Sequence, residues 1–470
     1  MLRAASRIAA GGGLAGAGAY CYLEYQLQNE PDRTLELAKQ GLRVLELTPF
    51  ESNPAFFDQA QPVSAVTFFE GKPPAEFLEG RVAEIVRANP WLAARHVKIK
   101  GKHAFTFDDG TAVYPECFAV AGADAGLHRG LTFRQTLATL DALAKEKGLG
   151  LLPAQGAQPP GSPQFRVTLV PDSEAPNERF ALVTTMSHIL GDGHTFYAIH
   201  NQLSKRAKPA PLSPARKLDA LAQIKERLGG EGGMHAGGMF ESPAFLVNYL
   251  VQLMIRLPLA ARGVLPPIPG PEFDSFVVSP AWVSAQKKRA AAAGDVPYVS
   301  TNDCVTSAIM RAMDVGVIGM AVDLRGRVPA ATAADAGNYE DVILYRERDY
   351  ETPSLIRKSL TKMKRAAEPP TALPSATEWL RLPDHTLGLV TNWVTAYGDD
   401  VVLPGCKQRL HLPMFECKPE LGMGSITQMG VIFAPRKGET GLMLFAAPGC
   451  ASRLRATDGG AMVGAPLIDM

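Results

Sequence analysis

The chain has 470 residues, 46% of them hydrophobic and 20% charged, so it is built to form real cores and is too long for one ordinary core. Its 48 Lys and Arg nearly balance 47 Asp and Glu, and no basic stripe interleaves with the few aromatics, which argues against nucleic acid as a partner. Six scattered cysteines (Cys21, Cys117, Cys304, Cys406, Cys417, Cys450) form no C-x-x-C pair and read as free thiols of a reducing compartment, not as disulfides or a zinc site.

In chain order, Met1 to Leu23 carries Arg3 and Arg7 and no acid around a Gly- and Ala-rich centre. A cleaved organelle transit peptide, a short membrane anchor over Ile8 to Leu23 and a plain tail all fit, with targeting or anchoring favoured. The expectation is an intracellular protein, in a mitochondrion or plastid or held at a membrane through residues 1–25. Residues 11–16 spell G-x-G-x-x-G, but no strand precedes them, so we read no dinucleotide site there.

The spacing of apolar residues predicts helices over Thr34 to Leu47, Glu76 to Ala88 and Leu131 to Lys147, the last ended by Gly148. Strands are predicted over Gln61 to Phe69, His96 to Ile99, Ala104 to Phe107 and Ala112 to Tyr114, and Phe165 to Val170 forms a hairpin with Phe180 to Thr185. A helix-like run, His194 to Leu203, follows. Residues 205–275 are rich in Pro and Gly and read as a linker, with an apolar helix, Phe245 to Leu257, started by Ser242-Pro243. Core burial and an interfacial position both fit that helix. Beyond it come a helix (Asn302 to Met313), a buried strand (Val315 to Asp323), a helix (Ser354 to Ala367), a strand (Leu387 to Val394) and a terminal hairpin (Val431 to Pro435 with Leu442 to Ala446). The fold class is α/β. The domain plan is an N-terminal segment (1–30), a first domain (31–204), a crossover (205–275) and a second domain (276–470).

The most informative stretch is Ser187-His188-Ile189-Leu190-Gly191-Asp192-Gly193, which contains H-x-x-x-D-G just after a predicted strand. A strand-end loop on a rigid scaffold is where a catalytic imidazole is best placed. Five further segments accompany it: Asn89-Pro90-Trp91-Leu92, the stretch from Ser300 to Ala308, Val322-Asp323-Leu324-Arg325-Gly326-Arg327, Gly337-Asn338-Tyr339 and Thr391-Asn392-Trp393. In type and order they resemble the CoA-dependent acyltransferase superfamily of chloramphenicol acetyltransferase, peptide-synthetase condensation domains, wax ester synthases and BAHD enzymes. The resemblance covers most of the chain after residue 45. It implies two chloramphenicol acetyltransferase-like α/β sandwich domains with an active-site tunnel at their interface. Ser187 stands where condensation domains and wax synthases usually carry a first histidine, which tilts the likeness towards BAHD-like and alcohol acetyltransferase-like members. The BAHD D-F-G-W-G motif is absent: Asp400-Val401-Val402-Leu403-Pro404-Gly405 occupies about its place.

Acyl transfer from a thioester needs the acceptor deprotonated as it attacks, a step suited to a neutral imidazole. The resemblance makes His188 the general base, against the alternative of a hydrogen-bonded turn histidine. It makes Asp192 a structural salt-bridge partner, not the orienter of His188, and Thr391 the oxyanion donor, against a plain strand threonine. Trp393 would shape the tunnel wall, Gly193 would allow close packing or a positive φ, and Asn338 and Arg325 would hold the domain junction. His188, Asp192 and His194 lack a nearby further ligand, so no metal is expected. No G-x-S-x-G elbow or Walker A sequence is present.

The expected activity is acyl transfer from acyl-CoA, as co-substrate and with no bound cofactor, to a small alcohol, amine or lipid, by a monomer. One rival is a wax ester or diacylglycerol type of O-acyltransferase, held at a membrane by peripheral or anchored association. Another is a non-catalytic descendant that binds ligands in the old tunnel.

Overall fold

A computed structural model of the protein describes residues 34–52, 54–108, 115–229, 262–264, 272–313, 315–368, 387–415 and 426–467. The targeting segment, the G-x-G-x-x-G stretch, the strand expected at Ala112 to Tyr114 and the helix expected at Phe245 to Leu257 lie outside the described residues. Among the described residues no helix is long and apolar enough to cross a membrane.

Fifteen strands follow in chain order: β1 (Leu42–Glu46), β2 (Val63–Glu70), β3 (Arg95–Ile99), β4 (Lys102–Asp108), β5 (Phe118–Val120), β6 (Phe165–Pro171), β7 (Arg179–Met186), β8 (Glu272–Val278), β9 (Val317–Asp323), β10 (Glu340–Tyr345), β11 (Leu387–Asn392), β12 (Lys407–Pro413), β13 (Ile426–Phe433), β14 (Gly441–Ala446) and β15 (Val463–Pro466). They form a five-stranded sheet in the order β12-β2-β7-β6-β5, a seven-stranded sheet in the order β10-β9-β11-β13-β14-β8-β15, and a small sheet β1-β4-β3.

β7 lies at the centre of the first sheet and is buried on both faces, which is why it reads as an almost unbroken apolar run. Phe180, Leu182 and Met186 face one core, shared with Leu78, Val82, Ile85 and Val86 of the helix Ala75–Ala88. Ala181 and Val183 face the other, where Leu137 and Leu140 of the helix Phe133–Lys147 meet Val431, Phe433, Met443 and Phe445 of the second sheet. Each fully buried side chain of this size contributes roughly 1.5–3 kcal/mol. Thr132 caps the helix Phe133–Lys147 in a reciprocal box with Gln135, and Gly148 ends it at φ +65°.

Several expectations are corrected. Thr34 to Leu47 is not one helix: Thr34–Lys39 is helical, Gly41 breaks it at φ +76°, and β1 then pairs antiparallel with β4. The strand expected to carry Trp393 ends at Asn392, because Asn392 Oδ1 accepts from the Val394 N–H (2.8 Å) and starts the short helix Val394–Tyr397. The β13–β14 hairpin forms but is not terminal, since a helix, Cys450–Arg455, and β15 follow. Nor is all of 205–275 linker. Leu218–Gly229 is a helix that buries Ala220, Ile224 and Leu228 in a third core, with Phe276, Val390 and Ile432, and β8 already begins at Glu272. β12 leaves the second half of the chain to pair with β2 of the first sheet.

Beneath the helix Gly193–His200 lies a buried polar knot. His411 bonds Thr67 Oγ1 through Nδ1 and Tyr197 Oη through Nε2, both at 2.9 Å, and His200 Nδ1 lies 3.1 Å from Thr184 Oγ1. Burial lowers the His200 pKa to about 4 and holds that of His411 well below its ordinary value. Both rings are therefore neutral in the folded protein yet protonate near pH 6.5 once unfolded. Their stabilisation is full above about pH 6.5 and is lost as the pH falls towards 4. Burial depresses His96 and His103 in the same direction, whereas the Asp323 hydrogen bond raises His194, which opposes them. Urea unfolding at pH 7 and pH 5 is expected to show a loss of roughly 2 kcal/mol from His200 alone. Glu340, whose pKa is raised to about 8, adds stability over the same fall in pH, so the comparison is made with His200→Gln: a wild-type loss between pH 7 and pH 5 no larger than the variant's refutes the account.

Candidate active site

β7 ends at Met186 and the chain turns at once. Ser187 N–H donates to Gln164 O (2.8 Å), Ser187 Oγ donates to Gln155 Oε1 (2.6 Å) and accepts from Ile189 N–H (3.2 Å), and Leu190 N–H closes on Ser187 O (3.0 Å). Ser187 thus builds the loop that presents the next side chain. A Cβ at Gly191 would lie 2.6 Å from Thr195, so the backbone passes too close for any other residue. Gly193 is different, and the expectation for it is corrected: its φ is not positive, and a Cβ there would rest at an ordinary 3.7 Å from Trp393 Nε1.

His188 stands between the two large sheets, with 30% of its side chain exposed. Its Nδ1 lies 3.1 Å from Asn338 Oδ1, on the segment entering β10. Asn338 Nδ2 donates to Glu51 Oε1 (2.8 Å) and to the carbonyl of His188 (2.9 Å). Both partners only accept, so the amide orientation is fixed and Oδ1 faces the imidazole. Nδ1 must then carry the hydrogen, and the network assigns the neutral ring's lone pair to Nε2. Glu51 is itself held by Thr48 N–H (3.0 Å) and Arg216 Nε (2.9 Å). Phe56 meets the His188 ring edge-on at 6.0 Å, with Phe50 beside it.

Asp192 turns away from His188. Its carboxylate caps the following helix through Thr195 N–H (3.0 Å), accepts from Tyr339 N–H (3.0 Å), and makes a two-pronged pair with Arg325 at 2.8 and 3.1 Å. The two side chains are 1% and 2% exposed. Arg325 also donates to Gly337 O (2.8 Å), so the pair ties the H-x-x-x-D-G loop to the second sheet. Arg216 is the second tie. Its Nη2 reaches the carbonyls of Ile189 (2.8 Å) and Leu190 (3.2 Å), its Nη1 that of Ala336 (3.2 Å).

Glu340, the first residue of β10, places Oε1 3.9 Å from His188 Nε2 and leaves 31% of its side chain exposed. Burial, then the nearby Asp192 charge, pushes its pKa up to about 8, with Asp323 and Asp341 adding and Arg325 opposing. His194 donates to Asp323 from Nδ1 (3.2 Å) and to Ala333 O from Nε2 (3.2 Å), so neither nitrogen faces a metal position. Among the described residues no group of three or more His, Cys, Asp or Glu is arranged to hold a metal ion.

Thr391 is the penultimate residue of β11 and accepts a hydrogen bond from Trp393 Nε1 (3.2 Å). Trp393 lies against Gly193 and Tyr197, which brings Thr391 to the same junction, though no hydrogen bond joins it to His188. Of the residues expected at the site, Asn338 touches His188, Arg325 pairs with Asp192 behind its loop, and Trp393, bonded to Thr391, lies against Gly193. The sequence reading missed that Asn338 touches the imidazole itself, and it missed Glu51, Arg216 and Glu340. A signal existed for Glu51 in the T-x-x-E spacing from Thr48, and for Glu340 in its place directly after Gly337-Asn338-Tyr339.

No protein-family model and no curated protein sequence matches the chain. Solved structures do. Polyketide synthase associated protein 5 from Mycobacterium tuberculosis aligns with a TM-score of 0.52 at 15% identity, over 88% of this chain and 96% of that one. F. sporotrichioides TRI101, complexed with coenzyme A and T-2, aligns with a TM-score of 0.53 at 15% identity, over 88% and 97%. The starter condensation domain of rhizomide synthetase, in complex with C8-CoA, aligns with a TM-score of 0.51 at 11% identity, over 93% and 99%. The fold is that of the two-domain chloramphenicol acetyltransferase-like acyltransferases and condensation domains, as the motif resemblance implied.

Proposed function

With that fold as premise, we propose that the protein transfers an acyl group from acyl-CoA to a hydroxyl or amine acceptor, with His188 as general base. The observation that carries this reading is the imidazole itself, its Nδ1 tied to Asn338 Oδ1 and its Nε2 side turned to a solvent-reached junction. A base needs its free lone pair aimed where the acceptor's proton will be, and a fixed tautomer supplies that. The acceptor heteroatom attacks the thioester carbonyl as Nε2 takes its proton; the C–S bond then breaks and the imidazolium returns the proton to the CoA thiolate. Thr391 accepts from Trp393, which orients its own hydroxyl hydrogen as a donor for the oxyanion, and Trp393 lines the junction. Coenzyme A and C8-CoA in the neighbours named above support acyl-CoA as the donor class.

The test is an incubation of purified protein with acetyl-, octanoyl- or palmitoyl-CoA and a mixed alcohol and amine library, following free thiol and acylated products. Acceptor-dependent thiol release is expected. Acyl-CoA binding with no turnover across the library would instead support a non-catalytic, ligand-binding descendant.

A further inference from the structure

We propose that the acceptor is a primary amine, bound as its ammonium between Glu340 and His188; this rests on the acyl-transfer reading above. The local charges can be paired off one by one. Asp192 is neutralised by Arg325 at 2.8 Å, and Asp323 is shared by Arg325 (3.0 Å) and His194 (3.2 Å). Asp341 accepts from the Val342 N–H at 2.7 Å. That leaves Glu340, whose carboxylate has no hydrogen-bond donor among the described residues and faces Nε2 of His188 across 3.9 Å. An acid in this position, hemmed in by other acids and with no cation bonded to it, is a place for a cationic group to sit.

Chemistry separates the two acceptor classes. An alcohol gives up one proton on acylation and needs one base. An alkylammonium must lose one proton before its nitrogen can attack and a second as the N–C bond forms. Here two proton acceptors converge on one point. The ammonium passes its first proton to the Glu340 carboxylate; the free amine attacks the thioester carbonyl while His188 Nε2 takes the second. Collapse breaks the C–S bond, CoA leaves as the thiol with the proton from His188, and Glu340 releases its proton to solvent. The sum is ammonium plus acyl-CoA giving amide, CoA thiol and one proton. A carboxyl held near pH 8 is matched to this exchange, since it is ionised for a useful fraction of the time and still basic.

The experiment compares hexylamine with hexanol, each with acetyl-, octanoyl- and palmitoyl-CoA, in the wild type, Glu340→Gln, Glu340→Asp and His188→Ala. The wild type should prefer the amine. Glu340→Gln should lower the amine-to-alcohol ratio of kcat/KM by about ten- to a hundredfold, the worth of one charge-assisted hydrogen bond, mainly through KM. Glu340→Asp should restore part of that ratio. The wild-type KM for the amine should fall from pH 6.5 to 8.5 as Glu340 ionises, in the field of His188, Asp192, Asp323, Asp341, Arg325 and His194, and the Gln variant should lose that slope. Alcohol preference in the wild type, or a ratio unmoved by Glu340→Gln, overturns the amine assignment and leaves His188-dependent acyl transfer standing. No turnover with either acceptor, or turnover that survives His188→Ala, brings down the acyl-transfer reading and this inference with it.

Discussion

Replacing His188 with alanine is expected to lower acyl-transfer kcat by about a hundredfold to ten-thousandfold, the usual worth of a positioned general base. Stability should change by less than about 1 kcal/mol, because the ring lies at a partly open junction and not in a core. Asn338→Ala is the graded companion. It removes the acceptor for Nδ1–H and the charge-assisted bond that strengthens when the imidazole becomes imidazolium, worth about 1.5–3 kcal/mol, so kcat should drop about ten- to a hundredfold with KM little moved. Urea unfolding and steady-state kinetics on the same preparations separate the two quantities. Wild-type turnover in His188→Ala would falsify the assignment of the base.

The largest stability effect is expected at Arg325. Arg325→Met leaves the Asp192 carboxylate buried without its cation and strips Gly337 O of a donor, which should cost about 3–5 kcal/mol. Asp192→Asn should cost less. Asparagine still caps the helix Gly193–His200, and Arg325 retains Asp323 at 3.0 Å. Chemical unfolding of the three proteins gives the comparison, and an Arg325→Met variant within about 1 kcal/mol of wild type contradicts it. Taken with His188→Ala, the pair divides the motif: its histidine governs turnover and its aspartate governs the joint between the halves.

The parts of this site that could be read from the chain are those with a local signature. H-x-x-x-D-G follows a strand whose apolar run is unmistakable, and Val322-Asp323-Leu324-Arg325 and Gly337-Asn338-Tyr339 are short, fixed patterns. What stayed hidden is contact across long separations. Nothing near Glu51 announces that its carboxylate will meet Asn338, 287 positions later. Arg216 sits in Ser213-Pro214-Ala215-Arg216-Lys217, which with Pro209 and Pro211 just before it reads as linker, yet all its donors are spent on the catalytic loop and its neighbours. Glu340 was passed over because an acid opening a strand is ordinary until the facing imidazole is seen. In the fold, β1 was mistaken for helix because residues 34–47 satisfy helical spacing, and only Gly41 and the partner strand β4 decide otherwise.

The exchange of β12 into the first sheet governs how the protein is made. A ribosome working at about 5–20 residues per second delivers β2, β7, β6 and β5 early, but the strand that covers the outer side of β2 emerges only when synthesis has passed Pro413. Until then the nascent sheet offers a row of unsatisfied amides and carbonyls to any passing strand, the setting in which misassociation begins. The two halves are therefore not separable gene segments: cutting the coding sequence in the crossover would strand β12 on one product and its docking edge on the other.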